Sequence, residues 1–247
     1  MPLARSPLQS PAIVVLTGGT SGIGQALLAR LTDDGHTVVV LARHATALAP
    51  GPRLIAIDID LADAAAVRET GRRLAADYPD TSVLINNAAL QYGRPLTDPD
   101  FDPARMAAEV AINLTAPALL THALLPPLRA SGRRAAIVNV SSGLAVFPKQ
   151  ATALYCATKA ALSNFTRSLR YQLEADGVLV SEVVLPLVDT PMTAGRGTGK
   201  ISADAAAAAI LAGITARRDI IYVGKARLLP ILARLAPGIG HHVLRGS

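Results

Sequence analysis

Apolar residues fall along the chain in short dense runs, separated by stretches with the spacing of a helix. "AIVVLTGG" is a β-branched apolar run that ends in glycine. Runs of the same kind recur in "HTVVVLA", "RLIAIDI", "TSVLIN", "AAIVNVS", "VLVSEVVL" and "DIIYV". They are continuous and not alternating, which is the pattern of strands buried on both faces. Between the first two runs, Ile23, Leu27, Leu28 and Leu31 recur at helical spacing and Gly35 supplies a stop. "DAAAVRETGRRLAADY", "ATALYCATKAALSNFTRSLRYQLEADG" and "DAAAAAILAGI" read as further helices. So does a long stretch from Pro103 to Arg129, expected to bend at Pro117 and end near Pro126 and Pro127, because proline removes a helix donor. Strands alternating with helices predict βαβ units. The expected fold is α/β and doubly wound, with a mostly parallel seven-stranded sheet and helices on both faces.

The turn after the first run carries the first chemistry. In "TGGTSGIG", Gly18, Gly22 and Gly24 are spaced G-x-x-x-G-x-G between a strand and a helix. Such a turn lets backbone N–H groups approach a pyrophosphate, with the positive end of the helix dipole facing its charge. A tight turn without a ligand has the same composition. Its place at the start of a βαβ run favours the phosphate and a Rossmann-type, dinucleotide-binding domain.

Composition narrows the partners. Of 247 residues, 51% are hydrophobic, enough for a large core, and no uninterrupted apolar run approaches the roughly 18 residues of a membrane span. "MPLARSPLQSPA" lacks an apolar signal core, so residues 1–11 are expected to be a disordered tail. Cys156 is the one cysteine, which fits a reducing compartment and a cytoplasmic protein. The formal charge is +6, yet aromatics are 3% and tryptophan is absent, so stacking platforms for single strands are missing. The arginines are scattered. They read as a solvated surface with an anionic cofactor, and no nucleic-acid site is expected. No His, Cys and Asp cluster has metal spacing, so no metal is expected, and "NVSSG" lacks the first glycine of a hydrolase elbow.

Tyr155 and Lys159 in "YCATK" lie at i and i+4, on one face of a helix. A free phenol titrates near pH 10, too high for acid–base work, and a nearby ammonium lowers it. Alone, the two could be a surface pair.

"TGGTSGIG", "NNAA" from Asn86, Asn113 in "AINLT", "VNVSS" ending at Ser142 and "YCATK" occur in that order. Together they resemble the signatures of short-chain dehydrogenases/reductases, over about Ala12 to Val223. "YCATKAAL", "VVLPLVDTPM" and "GRGTGKIS" resemble a bacterial branch of the family. That branch includes the dehydrogenase-like protein associated with D-alanylation of lipoteichoic acid. The resemblance implies an oxidoreductase that moves a hydride between nicotinamide and a carbonyl/alcohol substrate. Tyr155 would be the general acid/base, Lys159 would tune it and hold the nicotinamide ribose, Ser142 would bind the substrate oxygen, and Asn113 would position a relay water. Thr20, Ser21 and Ile23 would join the glycines on the cofactor. Asp60 and Leu61 would border the adenine, Asn87 and Ala88 the adenosine ribose, and Val188 and Thr190 the carboxamide. Leu185-Pro186 stands where the family commonly has Pro-Gly. Arg43 follows the second strand with no acid beside it, which favours NADP over NAD because a carboxylate there would repel a 2′-phosphate.

The catalytic domain is expected over 12–247, with a substrate lid at 190–202 and a basic helical extension at 225–247. In that extension Leu228, Leu232 and Leu235 share helical spacing, and no acid follows Asp219. It is expected to pack on the core or on a second subunit of a homo-oligomer, the alternative being an anionic membrane surface. Two rival functions remain open: a dinucleotide sensor without turnover, and a peripheral membrane protein acting through this extension.

Overall fold

The computed structural model describes residues 7–8 and 11–245. The strands in chain order are β1 (Ile13–Thr17), β2 (Thr37–Ala42), β3 (Leu54–Asp58), β4 (Thr81–Asn86), β5 (Ala136–Ser142), β6 (Leu179–Leu185), β7 (Val188–Asp189), β8 (Ile201–Ser202) and β9 (Ile220–Tyr222). Seven of them form one sheet in the order β3-β2-β1-β4-β5-β6-β9, and β7 pairs separately with β8. Every pairing is parallel. The expected doubly wound sheet is therefore present, and each predicted run supplies one of its strands.

Alternate residues of the strands feed two cores. Val14, Leu16, Val38, Val40, Val83 and Ile85 pack on one face with Leu27 and Leu31 of α1 (Gly22–Asp33). Ile210 and Ile214 of α6 (Ala203–Thr215) complete that side. Val15, Val39, Leu41, Leu84 and Ile137 face the opposite way. There they meet Val67 and Leu74 of α2 (Ala64–Asp77), Leu120, Leu124 and Leu128 of α4 (Ala116–Ser131), and Leu169 of α5 (Ala153–Gln172). Burying one such Val or Leu side chain contributes about 1.5–3 kcal/mol, so both faces must be apolar. That is why the runs do not alternate.

The chain winds from β1 out to β3, returns to β4 on the other side of β1, and continues to β9. The strand order reverses between β1 and β4. At such a switch point a crevice opens beyond the carboxyl ends of the strands.

Two helical expectations need correction. The long helix does not end at Pro126 and Pro127, which lie inside α4; it runs to Ser131 and stops at Gly132, whose φ is +53°. An interior proline costs about 3 kcal/mol. Here that cost is offset by burial of Leu124, Pro127 and Leu128 on the core side. The irregularity near Pro117 comes just before it, as a π-helical segment over Ala111–Thr115 that joins α3 (Ala104–Val110) to α4. Pro117 itself sits in the first turn of α4, directly after that segment. By length and composition the helix over Ala104–Arg134 could cross a membrane. In this fold its Leu120, Leu124 and Leu128 are fully buried against the sheet side.

Most of the expected tail lies outside the described residues. At Pro7 and Leu8 the chain is docked: Pro7 is buried and Leu8 packs on the first core. The C-terminal extension forms α7 (Leu229–Leu235) and α8 (Pro237–Arg245), broken at Ala236. Gly240 lies under Phe147, and the His241 ring meets Phe147 edge-on at 5.1 Å. Leu228, Ile231, Leu235 and Ile239 point outward. One side of the extension thus packs on the core, and an apolar side remains exposed.

Candidate active site

The turn between β1 and α1 is built for close approach. A Cβ on Gly24 would lie 1.9 Å from the Gly18 carbonyl oxygen, so only glycine fits. Gly18 and Gly22 adopt φ of +70° and +53°, the left-handed region open to glycine. Ser21 takes the N-cap position of α1, but its side chain caps no backbone N–H, and no acid occupies the first turn. The helix therefore presents free donors and the positive end of its dipole to the crevice. Thr17 braces the turn from beneath. Its Oγ1 accepts from the N–H of Asn87 (3.0 Å) and of Ala88 (2.9 Å), while Asn87 Nδ2 donates to the carbonyls of Thr17 and Gly18.

A cleft of about 520 Å³ runs from this turn to α5. Gly18, Thr20, Ser21, Gly22, Ile23, Gly24, Arg43, Asp60, Leu61, Asn87, Ala88, Tyr155, Lys159 and Thr190 all line it. Residues about 140 positions apart in sequence thus share one wall. Arg43 and His44 lie at the β2 end. The carboxylate of nearby Asp58 is held by the Thr46 N–H and hydroxyl, which keep it below the usual range. Those features fit a dinucleotide: a phosphate cradle that a Cβ would fill, uncapped helix donors, and a cation where a 2′-phosphate would sit.

Three predicted residues are not among those lining the cleft. Val188 is buried and pairs with Ile201. Ser142 lies at the end of β5, its Oγ accepting from the Leu144 N–H, while neighbouring Ser141 donates to the Lys159 carbonyl. Asn113 sits in the π segment with no exposed surface. Its Oδ1 accepts from the Leu90 N–H, and its Nδ2 donates to the Leu90 carbonyl and Thr158 Oγ1. Its amide is engaged on both sides, so any part in a proton relay falls to its backbone. The π segment shifts the helical register at this point, a distortion common at functional sites.

Tyr155 and Lys159 share a face of α5, and both are buried. Burial pushes the Tyr155 phenol above its ordinary value of 10.0, the Cys156 thiol and the Glu109 carboxyl push the same way, and the Arg196 guanidinium pulls it down. Lys159 is lowered to about 8 by burial, with Glu109 opposing the shift. The expectation that Lys159 depresses the phenol is thus not met in this geometry. Burial is the largest cause of the shift, and Lys159, whose Nζ donates to the Val140 carbonyl, is not among the groups that move the phenol.

Sequence reading missed four residues. Thr17 carries the brace, Tyr92 lines the cleft, Glu109 is buried with Oε1 unpartnered among the described residues, and Arg196 reaches Gln91 from the loop before β8. Glu109 gave a signal, an acid one helical turn before Asn113 among alanines. Arg196 gave none beyond its glycine neighbours.

A family model described as short chain dehydrogenase matches residues 12–200. The chain belongs to the short-chain dehydrogenase family. It is 36% identical over 181 residues to the uncharacterized oxidoreductase DltE of Bacillus subtilis, covering 72% of this chain and 71% of that one. It is also 36% identical over 229 residues to the 1-deoxy-11-beta-hydroxypentalenate dehydrogenase of Streptomyces avermitilis, covering 86% and 84%. A crystal structure of a short chain dehydrogenase from Burkholderia cenocepacia, in complex with NADP, superposes with a TM-score of 0.86 at 28% identity over 96% of this chain and 99% of that one. The motifs of this short-chain dehydrogenase thus occupy one crevice at the switch point of its sheet.

Proposed function

We propose that this short-chain dehydrogenase is an NADP-preferring enzyme acting on a carbonyl/alcohol pair, with Tyr155 as general acid/base. One observation carries the reading: a single cleft joins the glycine cradle to Tyr155 and Lys159. When bound, the nicotinamide cofactor supplies or accepts the hydride. Thr20, Ser21 and Ile23 with the glycines would hold its pyrophosphate, Arg43 a 2′-phosphate, and Lys159 the ribose hydroxyls.

The raised phenol keeps its proton through neutrality. The protonated phenol is the form that donates to a carbonyl oxygen in the reductive direction. The Ser142 Oγ accepts from Leu144 and keeps its own O–H to offer to the substrate oxygen. Lys159 is charged below about pH 8, which suits a donor to hydroxyls. We infer a cytoplasmic homo-oligomer, for which the exposed Leu228, Ile231, Leu235 and Ile239 offer apolar surface.

The test is a screen of carbonyl substrates that follows NADPH absorbance, with Tyr155→Phe as the blank. That variant keeps the ring and loses the proton, so turnover should vanish while NADPH affinity stays near wild type. Cofactor binding with no turnover by the wild type on any carbonyl would favour the sensor reading.

A further inference from the structure

The loop from Pro191 to Lys200 is anchored at both ends. β7 pairs with β8 across its base, and Lys200 Nζ donates to the Thr193 carbonyl at 2.7 Å. Between these anchors Gly195, Gly197 and Gly199 take φ of +71°, +53° and +68°, so the loop path is one that glycine alone adopts easily. Arg196 stands among them. Its Nη1 donates to Gln91 Oε1 across 105 positions of sequence, and its Nη2 lies 3.3 Å from where a Cβ on Gly93 would be. Leu90 and Tyr92, which alternate with these two residues, line the cleft that holds Tyr155. The guanidinium is therefore half-buried at the Tyr155 end of the cleft.

Its partner is a neutral amide. Three exposed or half-buried cations around it have carboxylates: Arg94 has Asp98 and Asp100, Arg105 has Asp102, and Lys200 has Asp189. Among the described residues Arg196 has no carboxylate in ion-pair range. The carboxyl on the same side, Glu109, is buried on α3, and its charge acts on Tyr155 and Lys159. A guanidinium carries five donors in a planar fork that matches carboxylate, sulfonate or phosphate oxygens, and one amide oxygen leaves most of them unused.

We propose that the carbonyl substrate carries an anionic group and that Arg196 binds it, holding the reacting carbonyl at Tyr155. This rests on the oxidoreductase reading above. Gln91 then acts as the resting partner, from which the guanidinium turns to the substrate as the loop closes over it.

The experiment compares matched aldehydes with and without a terminal carboxylate, succinic semialdehyde against butanal, for the wild type, Arg196→Gln and Arg196→Lys. The wild type should favour the charged aldehyde in kcat/KM by roughly 10- to 100-fold, on the scale of a charge-assisted contact. Arg196→Gln should erase that preference, and Arg196→Lys should keep part of it. A wild type that prefers butanal, or an equal loss for both aldehydes in Arg196→Gln, would make the arginine a loop latch and overturn the proposal. A second arm needs no turnover: calorimetric binding of succinate to the NADP-loaded protein. Binding that Arg196→Gln abolishes sustains the anion site even where neither aldehyde reacts, a result that would count against the oxidoreductase reading alone. No succinate binding by the wild type sinks the site itself.

Discussion

Lys159 Nζ donates to the Val140 carbonyl at 2.8 Å and stands 5.6 Å from the centroid of the Tyr155 ring. The amine is thus anchored to β5 and not to the phenol it accompanies on α5. Lys159 also lines the cleft, where the proposed ribose hydroxyls would meet it. Its burial leaves it with a proton affinity well below that of a free lysine.

That burial has a measurable cost. The folded value near 8 lies below the ordinary 10.5, so the unfolded chain binds more protons between those limits and stability rises with pH across that window. Below about pH 8 the penalty is fully present, on the order of 3 kcal/mol. In Lys159→Met this rise should disappear. Urea unfolding of the cofactor-free protein from pH 7 to 10.5 measures it. Parallel curves for both proteins would show that Lys159 is not desolvated as its burial implies. The variant should also bind NADPH more weakly, because donors to the ribose are lost.

Glu109→Gln removes the negative charge that helps keep Lys159 protonated and pushes the phenol up. Both groups should then titrate at lower pH. The alkaline limb of the reduction rate, where Lys159 loses its proton, should move toward neutrality. A pH–rate profile that coincides with wild type would remove Glu109 from the electrostatics of the site.

Arg43→Asp places a carboxylate at the β2 end of the cleft. NADPH should weaken by about 2 kcal/mol or more, the scale of a lost charged hydrogen bond, while NADH holds or improves. Fluorescence titration with both cofactors decides. Equal losses would mean that Arg43 only shapes the loop.

Gly24→Ala pushes a methyl group into the Gly18 carbonyl and toward Asn87 Nδ2, at 1.9 and 2.7 Å. Both contacts are inside van der Waals limits, and one is backbone. The turn must open, so cofactor binding should fall by at least about 100-fold and the melting temperature should drop. Gly35→Ala is the contrast: its Cβ meets nothing within 4 Å, so what remains is the left-handed backbone at φ +87°. It should cost stability without touching cofactor affinity.

Much of this protein can be read from its residues in order. The continuous apolar runs announce a sheet buried on both faces, because strands covered by helices on each side have no wet face to mark. Gly18, Gly22 and Gly24 announce a tight strand-to-helix turn, and their place at the start of a βαβ run favours one whose backbone a phosphate approaches. The i,i+4 pair of Tyr155 and Lys159 is local, so helical geometry alone puts the two on one face. Proline misled where packing overrode it: Pro126 and Pro127 stay helical because their neighbours on α4 are buried, and no local rule knows what a helix will be pressed against.

Tertiary structure decided what depends on contacts across the chain. The brace from Thr17 to Asn87 and Ala88, and the grip of Asn113 on Leu90 and Thr158, join segments that sequence keeps far apart. Proton affinities follow burial, so the direction in which Tyr155 titrates was fixed only when α5 closed against the sheet. Arg196 shows this most plainly. In order along the chain it is one arginine among glycines; in the fold it is a guanidinium near enough to act on the Tyr155 phenol, with a neutral amide for company. A sequence determines which groups a chain owns and which neighbours are one helical turn away. What water each group loses, and which charges it then faces, is set by the fold.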